Sequence, residues 1–214
     1  MSAAPSRAFE VRHLQLMRAL FAAVAAIMIT FSPDHSAGVG LSVFSGWAIA
    51  TALVLFLSAW LVYEAGSRAT PIALGVVTVI AGMIAGLPGI RSVTLFFVVV
   101  VAWAVLSGAI ELASGVRRRR VDEEARDRIL IGAVTLALAL GLLLVNPAYS
   151  LEYFIKEAGQ TFVLTGITIG VGIFGGYAAI VAVFLGIAGF SPRRSDAVSA
   201  EPATDSPATA GEPA

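Results

Sequence analysis

From Ser92 to Ile110 the chain runs SVTLFFVVVVAWAVLSGAI without one charged residue. Crossing a ~30 Å hydrocarbon layer takes about 20 apolar residues in helical form. This run alone therefore points to a membrane span. Comparable runs occupy 14–31, 41–63, 70–87, 129–145 and 162–190, and the fourth span is read as 92–113. Composition agrees: 58% of residues are hydrophobic and 13% charged, where a soluble domain carries about a quarter charged. A transmembrane β-barrel needs polar and apolar residues in alternation, and "VTLFFVVVVAWAVL" does not alternate. In lipid, helices satisfy their own backbone, so β-branched runs are tolerated in them. The fold class expected is an all-α integral membrane protein, a six-helix transmembrane bundle.

The basic residues give the chain a direction. With residues 1–13 on the cytoplasmic side, the inner segments hold Arg7, Arg12, Arg18, Arg68, Arg117 to Arg120, Arg126, Arg128, Arg193 and Arg194. The outer loops hold Arg91 and Lys156. Lys and Arg concentrate in cytoplasmic loops, so the expectation is an inner-membrane protein with both termini cytoplasmic. Arg117, Arg118, Arg119 and Arg120 act first as an orientation signal, and anionic lipid headgroups favour them further. The first span, followed by "SPDHSAG" with no clear small-x-small site, is expected to be retained rather than cleaved. Residues 191–214, rich in Pro, Ala, Ser and Glu, have little to bury and are expected to be a disordered cytoplasmic tail.

An internal repeat is visible. The first, third and fifth spans end at Pro33, Pro88 and Pro147, in "ITFSPDHS", "AGLPGIRS" and "LLVNPAYS". "GWAIATALVLFLSA" in the second span aligns with "AWAVLSGAIELASG" in the fourth, placing Trp47 on Trp103. "GIFGGYAAIVA" in the sixth matches loosely. The reading is three helical hairpins, each a span, an outer turn opened by proline, and a return span. Proline suits the turn because it cannot continue a helix with normal bonding.

At these residues the chain resembles the HdeD-like membrane proteins: three hairpins, "LLLVNP" ending a span, and "AWAVLSGAIELASGVRRRR" ending a hairpin. The resemblance covers residues 14–190 and is clearest over 70–148. It implies a short-repeat membrane protein associated with acid resistance and envelope stress. The family has no established catalytic residues to carry over.

Chemistry is sparse. There is no cysteine, and the two histidines, His13 and His35, lie in different flanking segments. No nucleophile–base pair, metal-ligand cluster, nucleotide loop or ring of charges stands out, so no enzyme, catalytic residue, cofactor or metal is expected. With net charge zero, nucleic acid is not an expected partner either. Asp34 and His35 in "SPDHS" read as a solvated turn. Glu111 is the one carboxylate inside a span, and intramembrane charges are often functional. It lies near the cytoplasmic end of its span, at a depth similar to that of Arg18 in the first. The expected arrangement is a structural ion pair between Arg18 and Glu111 at the interface, or two snorkelling side chains; a proton relay is the alternative. Gly82 and Gly86, Gly166 and Gly170, and Gly172 and Gly176 each form G-x-x-x-G, which lets helices approach closely. Packing within the bundle is the first reading and a homo-oligomer face the second. The loop "NPAYSLEYFIKEAGQT" places Leu151, Phe154, Ile155 and Ala158 at helical spacing, with Tyr149 and Tyr153 as interfacial aromatics. It is expected to form a short amphipathic helix on the outer surface.

Three functions remain open on the sequence. One is a non-enzymatic membrane protein of HdeD-like type in envelope integrity or acid and stress tolerance. The second is a small transporter or channel. The third is an accessory subunit that docks a protein partner. Membrane lipid is the partner common to all three, and the residues name no small-molecule substrate.

Overall fold

A computed structural model describes residues 11–63, 65–120, 125–156 and 159–191. It contains six helices long and apolar enough to cross a membrane: α1 Val11–Phe31, α2 Ala37–Leu61, α3 Ala69–Gly86, α4 Val93–Arg118, α5 Ala125–Leu144 and α6 Gly166–Phe190. Short 3-10 turns, Ala65–Ser67 and Pro88–Ile90, lie before α3 and α4. Most of the segments 1–13 and 191–214, expected as a cytoplasmic arm and a disordered tail, fall outside the described residues.

Local chemistry sets the helix starts. Ser36, Ser92 and Thr165 accept hydrogen bonds from the backbone N–H groups of Val39, Leu95 and Thr168, capping α2, α4 and α6. The Ser36 cap is itself braced by Asp34, whose carboxylate accepts from the Ser36 N–H at 2.8 Å and the Ser36 hydroxyl at 2.9 Å. Asp34 is thus engaged in starting a helix. At the other end of α4 the helix runs five residues past the expected span limit, so Arg117 and Arg118 are helical.

The loop after α5 differs from expectation. Ser150–Ile155 (β1) and Gln160–Thr165 (β2) form an antiparallel hairpin, with Tyr153 opposite Phe162 and Ile155 opposite Gln160. An isolated helix of about ten residues is marginal. The tyrosine, phenylalanine, isoleucine, valine and threonine content favours strands, and cross-strand pairing supplies backbone partners that the short helix lacked. Tyr153 and Phe162 stack at 6.1 Å, and Gly159 takes the left-handed turn position at φ 61°. Residues 162–165, read from sequence as the start of the sixth span, belong to β2, and α6 begins at Gly166.

The helices form a ring in chain order, closed by α6 against α1. Packing alternates around it. The tight seams are α2–α3, α4–α5 and α6–α1; the looser ones are α1–α2, α3–α4 and α5–α6. Helices joined by the proline-side turns are therefore the looser neighbours. Glycine decides this. A Cβ on Gly132 would meet the Leu112 backbone nitrogen at 2.6 Å, and one on Gly115 would meet the Ala125 carbonyl oxygen at 2.8 Å. At the second seam Gly75 lies against Phe56 and Gly82 against Ile49; at the third Gly175 lies against Ile29 and Gly189 against Leu16. Small residues allow close backbone approach where lipid provides no hydrophobic drive.

The three even-numbered helices meet at the axis. Trp47 of α2 and Trp103 of α4 touch edge to face at 5.0 Å, with Phe44, Phe174 and Tyr177 around them. Outward faces carry large apolar side chains such as Leu53, Trp60, Met83, Val98, Leu143 and Val183. A soluble monomer rarely exposes so continuous an apolar surface; lipid is its natural solvent.

Candidate functional site

Arg18 and Glu111 come together inside the bundle. Arg18 Nη2 donates to Glu111 Oε1 at 2.8 Å. Glu111 is 4% exposed, and the Arg18 side chain retains 20% exposure. Snorkelling is thus excluded for the carboxylate, which points into the bundle. Among the described residues this is the only hydrogen bond made by either side chain, so Oε2 of Glu111 has none.

Two cavities meet at this pair. The outer one lies at the end of the bundle that carries the arginine run. It is lined by Gln15, Arg18, Tyr63, Glu111, Asp127 and Arg128, with about 40 Å³ that water can occupy. Its rim is tied together: Gln15 Nε2 donates to Asp127 Oδ2 at 3.1 Å, and the Arg128 guanidinium sits 5.7 Å from the Tyr63 ring centre. The inner cavity, of about 20 Å³, runs from Arg18 and Glu111 to Thr51, Thr78, Ser107, Thr135 and the axial aromatics. It ends against Trp47, Trp103 and Tyr177, where the ring stack closes the bundle.

Hydroxyl groups hold two of the three axial rings. Trp103 Nε1 donates to Thr78 Oγ1 at 3.1 Å, from α4 to α3. Thr135 gives its single proton to the Ile131 carbonyl at 2.7 Å. The Tyr177 hydroxyl, 3.0 Å from Thr135 Oγ1, must then be the donor to it, from α6 to α5. By the same pattern Trp47 of α2 would bond a threonine on α1. The buried face of α1 instead offers Ala19, Ala22, Ala25, Ala26 and Ile29. Among the described residues Trp47 Nε1 is accordingly buried without a partner, and so is Thr51 Oγ1, one turn further along α2. An unmet buried polar group costs about 1–3 kcal/mol. A site for one water needs about 10–15 Å³ and two to four polar partners. The inner cavity meets both conditions.

The glycine pairs read from sequence divide. Gly82 and Gly86 press on α2 at Ile49 and Ser45. Gly170 lies against Phe97, and Gly166 against the Asn146 carbonyl. Gly172 and Gly176 face outward with no atom within 4 Å of an added Cβ, so they do not pack the bundle. Arg117 to Arg120 are exposed at the end of α4 and beyond.

Sequence reading missed the polar lining, because each span taken singly has an apolar middle. A signal was present nevertheless. Four residues after each aligned tryptophan stands a hydroxyl, Thr51 after Trp47 and Ser107 after Trp103, and Glu111 follows one further turn along α4. Such spacing places them on one helix face. No known family model, curated protein or solved structure matches the chain.

Proposed function

We propose that this protein is a non-enzymatic multi-pass membrane protein of the small transporter or channel class, passing protons or water-sized ions through the chamber at Arg18 and Glu111. The observation that carries this reading is the junction of two polar cavities at one buried ion pair. An ionised side chain in a span is costly and usually lines a pathway. An anchor would sit at the lipid interface with both charges solvated; here the carboxylate faces an internal polar space and keeps one oxygen open. The cavity sizes limit the passing species to water, protons or small ions. Taking the arginine-rich end as cytoplasmic, by the basic-residue asymmetry, the chamber opens to the cytoplasm of an inner-membrane protein. The axial rings are then the outer barrier.

Proteoliposomes loaded with a pH-sensitive dye test the reading. An imposed proton gradient should dissipate faster with the protein than in empty vesicles, and Glu111→Gln should remove the difference. Equal leak in both would reject it.

A second reading rests on the resemblance of the chain's motifs to those of HdeD-like proteins: a role in envelope integrity or acid tolerance. A deletion strain rescued under acid challenge by the wild-type chain and equally by Glu111→Gln would favour that role over conduction. An accessory role with a protein partner predicts co-purification from the membrane and no flux.

A further inference from the structure

The loose α3–α4 seam opens, at the arginine-bearing end, into a groove of about 450 Å³ lined by Ala69, Thr70, Ala73, Ile110, Ala113, Ser114, Arg117 and Arg118. Ligand sites typically occupy ~300–1,000 Å³. Three alanines explain why the seam gapes here, since none has the reach to fill the space. The floor is apolar and lies along two membrane helices, a surface suited to an acyl chain.

The rim has the opposite character. Arg117 and Arg118 stand in the last turn of α4, and neither makes an ion pair or hydrogen bond among the described residues. Beside them is the start of α3. Its N-cap residue, Arg68, gives no side-chain cap; that guanidinium instead donates to the Tyr63 carbonyl at 3.1 Å and lies over Trp60. Pro71 has no N–H and the Ile72 N–H is taken by the Arg68 carbonyl at 3.1 Å, so the donors left at the start of this 18-residue helix are those of Ala69 and Thr70, two residues that line the same groove as the two arginines. A helix N-terminus favours anions, and basic pockets between membrane helices suit anionic headgroups. Thr70 adds a hydroxyl to the lining, whereas the Ser114 hydroxyl is committed to the Glu111 carbonyl at 2.9 Å.

The geometry points to a binding site for one anionic phospholipid, its phosphate held by Arg117, Arg118 and the α3 N-terminus and an acyl chain laid along Ala73 and Ala113. This separates the four arginines: two line the groove, while Arg119 and Arg120 do not. The site is independent of the conduction chamber, with which it shares no lining residue.

Native mass spectrometry of the full chain in micelles, titrated with phosphatidylglycerol, phosphatidylcholine or inorganic phosphate, tests the site. One phosphatidylglycerol should be retained in preference to phosphatidylcholine. Arg117→Gln with Arg118→Gln should weaken it ~10-fold or more, given about 1 kcal/mol per basic residue. Arg119→Gln with Arg120→Gln removes the same charge and should weaken it far less. Ala73→Phe keeps every arginine, fills the groove, and should also release the lipid. The proposal is overturned if both arginine pairs matter equally, if Ala73→Phe binds like wild type, or if inorganic phosphate displaces the lipid at millimolar concentration.

Discussion

Arg18 on α1 and Glu111 on α4, 93 positions apart in the chain, meet at 2.8 Å across the interior of the helix ring. The two are unequally buried, and that inequality sets what each substitution should do.

Removing Arg18 should cost more than removing Glu111. Arg18→Gln leaves a carboxylate in a site that is 4% exposed, and an uncompensated buried charge costs about 3–5 kcal/mol. Glu111→Gln leaves a guanidinium with 20% of its surface accessible, which can reach the polar outer cavity, so a loss of about 1–3 kcal/mol is expected. The double substitution should lose less than the sum. Thermal unfolding of the four proteins in one detergent measures the cycle; additive losses would mean that the residues do not interact.

The Trp47 indole should be hydrogen-bonded to an internal water. Protein labelled with ¹⁵N-tryptophan should give three indole signals, from Trp47, Trp60 and Trp103, and Trp47→Phe would assign the first. That signal should exchange with solvent faster than that of Trp103, which is held by Thr78 at 3.1 Å. A Trp47 signal with no exchange and no hydrogen-bonded shift would mean an empty cavity.

Two glycine substitutions should separate the seams from the lipid face. Gly132→Ala places a methyl 2.6 Å from a backbone nitrogen of α4, and backbone cannot yield as a side chain can. A loss of about 1–3 kcal/mol is expected, typical of overpacking. Gly172→Ala meets nothing within 4 Å and should be neutral or raise stability by up to about 1 kcal/mol through helix propensity. If Gly172→Ala instead disrupts a dimer seen by cross-linking, the outward G-x-x-x-G is an oligomer face.

Single cysteines at Gly89, Lys156 and Arg120 test orientation in a chain that has none of its own. In intact cells an impermeant thiol reagent should label the first two and spare the third. Labelling at Arg120 would invert the topology and place the chamber mouth outside.

Six spans were legible in the chain itself, and the contact between Arg18 and Glu111 was one of the arrangements it allowed. Each is local or scarce information. Apolar length is counted along one helix, and a lone carboxylate inside a span has few cations within reach. Strand formation in the loop after Pro147 was not legible, because Leu151, Phe154 and Ile155 fit a helical spacing as well as the β1 strand they form, and pairing with β2 decides between them. The packed bundle settles which helices press together, since glycine contacts such as Gly132 on Leu112 depend on the facing helix. It alone placed Glu111 in the interior. It also brought Thr51, Thr78, Ser107 and Thr135, four isolated hydroxyls on four helices, to one chamber. The physical reason is that a single small hydroxyl barely alters the hydropathy of a span, whereas several converging on an axis exclude hydrocarbon and make room for water.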